Sequence, residues 1–100
     1  MDRINHIAIP VNGIAEAVKW YRDRFSCTVA YKDGSWALID FENTSLALVL
    51  PKQHPGHFAI ERDDAADFGS LTLHRDQTQS MYIEDPWRNS LKILQINKNG

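Results

Sequence analysis

Two short stretches of this chain nearly repeat each other. Residues 6–9 read HIAI, and residues 57–61, fifty-one positions later, read HFAIE. A repeat of that length inside 100 residues permits few folds. A chain of this size buries one modest hydrophobic core rather than two, so the copies form two halves of one domain. Each copy places its larger apolar residues, Ile7 and Ile9 or Phe58 and Ile60, at alternate positions. That alternation is the signature of a strand with one covered face.

The residues after each copy extend the repeat. The β-branched run at 4–11 predicts a strand, with Pro10 marking its end or an edge. Asn12 is placed as the cap of a following helix. That helix sets Ile14, Ala17, Val18, Tyr21 and Phe25 on one face and Glu16, Lys19, Arg22 and Asp23 on the other. Residues 28–32 and 35–41 read as strands around Asp33-Gly34, the strongest hairpin signal in the chain. Asn43 and Thr44 make a turn, and SLALVL at 45–50 makes a fourth strand.

PKQHPG at 51–56 is the one segment with linker character, and after it the order restarts. Residues 57–61 form a strand, and Asp63 or Asp64 caps a short helix, AADF, that Gly69 stops. Residues 71–74 and 80–84 pair around DQTQ, EDPWRN at 84–89 turns the chain, and SLKILQI at 90–96 is the last strand. The tail NKNG is expected to fray. The predicted fold is α+β within a single domain. Its pseudo-symmetric β-α-β-β-β modules (residues 3–50 and 57–97) form a curved, barrel-like mixed sheet around a shared cavity. The second helix is cut to a turn or two.

Charge and composition narrow the function. A formal net charge of −2 offers no basic face to phosphates, which argues against a nucleic-acid partner. No apolar run approaches the ~20 residues of a membrane span, and MDRINHIAIP lacks the shape of a signal peptide. The lone Cys27 cannot close an internal disulfide and reads as a small core residue in a reducing, cytoplasmic setting. No nucleophile motif, glycine-rich phosphate loop or CxxC pair is present.

Strand alternation sorts the candidate site residues. His6 and Ala8 share one face of the first strand, while Ile7, Ile9 and Val11 share the face under the helix. His57, Ala59 and Glu61 share the matching face of the repeat strand. The two histidines therefore occupy repeat-equivalent positions and are expected to project into the same concave surface. His54 in the linker and His74 beside the hairpin turn are expected to face solvent. Trp87, in a loop, reads as a partner contact or a lid.

HIAIPV (6–11), AVKWYRDRF (17–25), GHFAIE (56–61) and YIEDPWRNSLKI (82–93), in this order, resemble the vicinal oxygen chelate superfamily. That superfamily includes glyoxalase I, bleomycin and fosfomycin resistance proteins and extradiol dioxygenases. The resemblance spans nearly the whole chain, and its force lies in the ordered set rather than in any one stretch. It implies a homodimer, sometimes with exchanged modules, and a divalent metal ion. It also implies lyase or dioxygenase chemistry on a small oxygenated metabolite, with His6 and His57 as metal ligands. Each module of the family also supplies a glutamate from its last strand. Aligned on Asp85, Pro86 and Asn89, the second glutamate position is Lys92 here, and the first is Ala47. Trp87 and Arg88 stand where the family pattern is usually acidic and glycine.

Two histidines without carboxylates make a weak site for a divalent ion, and a nearby ammonium repels the ion. Glu61 is four residues from His57 along the strand, roughly 13 Å, too far to share an ion with it. Glu84 reaches inward only if its strand ends differently from the prediction. A second reading follows from Lys92. With two neutral histidines and aromatic walls from Tyr82 and Trp36, it suits a small anionic ligand bound without metal. In a third, Lys92 pairs with Glu61 or Glu84, or snorkels to solvent.

Overall fold

The computed structural model describes residues 1–73 and 79–95. The turn at 76–78, the exposed setting expected of His74, the last residue of the final strand and the NKNG tail lie outside the described residues. The strands are β1 (Arg3–Pro10), β2 (Thr28–Lys32), β3 (Trp36–Asp40), β4 (Ser45–Val49), β5 (His57–Glu61), β6 (Thr72–Leu73), β7 (Gln79–Glu84) and β8 (Ser90–Gln95). One helix, α1 (Ile14–Arg24), follows β1, and a 3-10 turn, Ala65–Phe68, follows β5. The fold is mixed α+β. Contacts divide it into two compact units, His6–Gly56 and a second that joins Met1–Asn5 to the residues from His57 onward.

In the first unit β1 pairs parallel with β4, β4 antiparallel with β3, and β3 antiparallel with β2. In the second, β5 pairs parallel with β8, β8 antiparallel with β7, and β7 antiparallel with β6. Among the described residues β2 and β6 end the strand order. Among these residues they are edge strands.

The helix of the first unit forms for the reason its spacing suggests. Ile14 and Val18 are buried, and with Ala17 and Tyr21 they pack on Ala37, Ile39 and Leu48 of the sheet. Ile9 and Val11 join that layer, on the face opposite to Ala8. Glu16 in the first turn and Arg22 and Arg24 in the last oppose the partial charges of the helix ends. Its start lies one residue later than predicted. The cap is Gly13, extended at φ −144° and ψ 122° with no side-chain cap bond, and not Asn12. Phe25 lies beyond the helix end and is half exposed, because the chain has already turned extended there.

The first hairpin also closes one residue later than Asp33-Gly34. The Asp33 amide donates to the Trp36 carbonyl at 3.0 Å, which centres the turn on Gly34 and Ser35. The Asp33 carboxylate accepts from the Ser35 amide at 2.7 Å, the Ser35 hydroxyl at 2.8 Å and the Trp36 amide at 3.0 Å. It also accepts from the Tyr31 hydroxyl, and these bonds hold its carboxyl well below the ordinary range. A register shift between Val29 and Tyr31 marks a β-bulge, which brings Tyr31 onto the side of Trp36; their rings stack at 4.6 Å.

In the second unit the helix is a single 3-10 turn, anchored by the buried Ala65 and stopped by Gly69. Asp64 stands at the cap position but supplies no side-chain cap bond, because its carboxylate goes instead to Arg62. Gly69 has φ +148°, and a Cβ placed there would lie 2.7 Å from Met81 Cε on β7. The thioether end can move aside, but the backbone angle cannot. Gly69→Ala is therefore expected to cost about 1–3 kcal/mol, read as a lowered urea midpoint with an unchanged m-value.

Candidate functional site

The strand registers place the candidate residues in rows across each sheet. In the first unit His6 pairs with Ser45, and Ser45 with Asp40; Ala8 pairs with Ala47, and Ala47 with Leu38. In the second unit His57 pairs with Ser90, and Ser90 with Glu84; Ala59 pairs with Lys92, and Lys92 with Tyr82. Cross-strand partners in register point to the same face. The face of each sheet carrying its histidine thus has one acid–Ser–His row and, beside it, one row in which the modules differ. Ala47 and Lys92 are register equivalents.

The rows have different characters. In the first unit the Ser45 hydroxyl donates to Asp40 at 2.7 Å beside the half-buried His6. The next row is apolar: Ala8, Ala47 and Val49 are buried together, with Leu38 packed against them. Trp36 lies at the far end of this face and stacks on Tyr31.

The second unit gathers three of the predicted residues. His57 is only 7 % exposed and stands edge-on to the Tyr82 ring, with centroids 5.1 Å apart and planes at 85°. The Lys92 ammonium lies over the same ring, 5.7 Å from its centre. This is cation–π range, and a half-buried aromatic face favours it more than open water does. Burial pushes the Tyr82 phenol above its ordinary value, so it remains a neutral hydroxyl throughout the physiological range.

Glu61 shares the face of His57, but its carboxylate accepts from Asn5 Nδ2 at 3.3 Å and lies 3.9 Å from Arg3 Nε. Beyond it an open concavity of about 430 Å³ is lined by residues 1–3 and 61–64. Arg62 dominates its wall, bonded to Asp2 and Asp64 at 2.8–3.0 Å and stacked over Phe68. Those partners raise its already high pKa further. They use its donors to tie Met1–Asn5 to the 3-10 turn, and the concavity is structural.

Sequence reasoning missed Asp40, Ser45 and Ser90, and set Glu84 off the inward face unless its strand ended elsewhere. The strand ends at Glu84 as read, yet Glu84 pairs with Ser90 and Ser90 with His57, so Glu84 shares the face of His57 without any shift of the strand end. The signal lay in counting alternation across the hairpin rather than along one strand.

A catalytic divalent ion needs roughly three protein donors around an open position. Among the described residues no group of three or more His, Cys, Asp or Glu side chains is gathered to hold one. Where the resemblance calls for glutamates the chain has a buried methyl group and an ammonium. These donors do not fit a resident catalytic metal.

The loop joining β7 to β8 fixes the rows of the second unit. The Asp85 carboxylate accepts from the Asn89 side chain at 2.9 Å and from the Trp87 and Asn89 amides at 2.9 Å each. Arg88 takes the left-handed conformation, φ 68°, at the position that is glycine in the family pattern. Trp87 is 79 % exposed. The bonds from Asn89 and the Trp87 amide lower the Asp85 pKa below its ordinary 3.8. With the folded value depressed, the carboxylate stabilises the fold above pH 3.8 and loses that contribution as pH falls through the folded value. The urea midpoints of wild type and Asp85→Asn are expected to differ at pH 7 and to converge toward pH 2.

No protein-family model matches this sequence, and no curated protein sequence does. Solved structures match the fold over nearly the whole chain. A hypothetical protein from Bacillus halodurans has TM-score 0.74 at 12% identity, covering 99% of this chain and 97% of its own. A glyoxalase/bleomycin resistance protein/dioxygenase superfamily member from Vibrio splendidus has TM-score 0.69 at 13% identity, covering 96% and 100%. A chain described as an NAD-dependent benzaldehyde dehydrogenase from Legionella pneumophila has TM-score 0.68 at 15% identity, covering 93% and 99%. At these identities the likeness is one of fold, and one fold hosts different chemistries. No helix among the described residues is long and apolar enough to cross a membrane.

Proposed function

From a fold shared with a glyoxalase/bleomycin resistance protein/dioxygenase superfamily member, we propose that this chain binds a small anionic organic ligand without a metal. The site is the sheet face of β5, β8 and β7. Lys92 meets the ligand's anionic group, the neutral Tyr82 hydroxyl donates a hydrogen bond, and the buried His57 ring and Ala59 form the floor. One observation carries the reading: the Lys92 ammonium and the His57 ring both lie against the Tyr82 ring, at 5.7 and 5.1 Å. An ammonium held over an aromatic face, partly withdrawn from water, forms stronger charge-assisted bonds than one on an exposed stem. In the first unit the corresponding row, Ala8, Ala47 and Leu38, is apolar and has no such charge; its aromatic candidate is Trp36.

A second reading makes the chain a divalent-metal-dependent lyase or dioxygenase with His6 and His57 as ligands. The identical registers of the two histidines, each opposite a serine, favour it. Ala47 and Lys92 oppose it. A homodimer belongs with either reading and would appear as a doubled mass in light scattering.

Elemental analysis of purified protein and calorimetric titration with butyrate and inorganic phosphate separate the two. The anion reading expects substoichiometric metal in the wild type and anion binding weakened about tenfold or more in Lys92→Met. Stoichiometric metal in the wild type, or anion binding indifferent to Lys92, would overturn it. Metal uptake confined to Lys92→Glu would mark a scaffold whose metal site was lost at this position.

A further inference from the structure

The acid at the end of the second unit's row gives the proposed site a second charge. Glu84 closes β7 opposite Ser90, and Tyr82, two residues earlier on the same strand, lies opposite Lys92. Glu84 and Lys92 are thus diagonal neighbours on one face of an antiparallel pair, where Cβ atoms lie about 7–8 Å apart. Both side chains are long and rise from the sheet on the side of His57. Lys92 leans over the Tyr82 ring, and Glu84 is exposed at the strand end beside the loop anchored by Asp85. A carboxylate and an ammonium therefore rise from adjacent rows of one face, the ammonium over the Tyr82 ring.

The modules differ at this point. The first unit has an acid at the equivalent place, Asp40, but Ser45 donates to it at 2.7 Å, and its next row, Tyr31, Leu38, Ala47 and Ala8, carries no cation. Only the second unit sets an acid and a cation in adjacent rows of its histidine face.

We propose that the preferred ligand of this face is a zwitterion, a small molecule with a carboxylate for Lys92 and a protonated amine for Glu84. This rests on the anion-binding reading above and adds the second recognised group. A mono-anion leaves Glu84 to solvent and is repelled by it, whereas a zwitterion satisfies both charges and gains two charge-assisted bonds. Glu84 is then a specificity-determining residue. It discriminates among anions by what else they carry, and its removal leaves the Lys92 contact in place.

Titration of the full chain by NMR chemical-shift perturbation with three probes that share a four-carbon chain, 4-aminobutyrate, butyrate and butylammonium, tests this. The wild type is expected to bind 4-aminobutyrate about tenfold more tightly than either mono-charged probe. Glu84→Gln, a change at an exposed position, is expected to bring 4-aminobutyrate to the level of butyrate while butyrate itself stays equal or improves. Equal affinities for 4-aminobutyrate and butyrate in the wild type, or a preference that survives Glu84→Gln, would overturn the zwitterion proposal while leaving the anion reading intact. If neither carboxylate probe depends on Lys92, as judged in Lys92→Met, the anion reading fails and the zwitterion proposal falls with it.

Discussion

The parallel pairing of the first and last strands of each repeat governs the other placements. β1 with β4, and β5 with β8, hold the same register, with His6 opposite Ser45 and His57 opposite Ser90. Because side chains alternate with a period of two, a slip of one residue in either pair would turn its last strand's residues to the other face. The apolar sets prevent this. Leu46 and Leu48 must meet Ile14 and Val18, and a shifted register would expose them. The site rows are set as a by-product of core burial on the reverse side of the same strands.

Much of the fold was legible in the sequence because it depends on local periodicity. The order of the described elements, the amphipathic helix and the contrast between the two helices follow from spacing and from turn residues. Where the reading slipped, it slipped by one residue at boundaries decided by backbone geometry. Gly13 rather than Asn12 caps α1, since its extended backbone already fits the position. The hairpin centres on Gly34-Ser35 because the Asp33 side chain, as acceptor, is needed at the corner. Phe25 fits the helical spacing, yet the helix ends before it.

The site was legible in part. Alternation along single strands singled out His6 and His57 as candidates, the family resemblance singled out Lys92, and the registers set Lys92 opposite Tyr82. Cross-strand neighbours were harder to find, because a residue such as Glu84 acquires its place only when the hairpin that carries it is in register. The contribution of Glu61 changed for a different reason. Asn5 and Arg3, more than fifty residues earlier in the chain, lie beside its carboxylate, and no local pattern announces such a contact. The two units are unequal. Each has an acid–Ser–His row, but the neighbouring row carries a cation in the second unit alone among the described residues.

The bulge in β2 has a bearing on the life of the protein in a crowded solution. An uninterrupted border strand offers a ladder of amides and carbonyls to any other polypeptide, and fibrils grow from such templates. Here the irregularity between Val29 and Tyr31 breaks the ladder midway, and Lys32 adds a charge at its end. In the second unit the end strand β6 comprises Thr72–Leu73 among the described residues. The border of the first unit is thereby kept unattractive for recruitment into larger, unwanted assemblies.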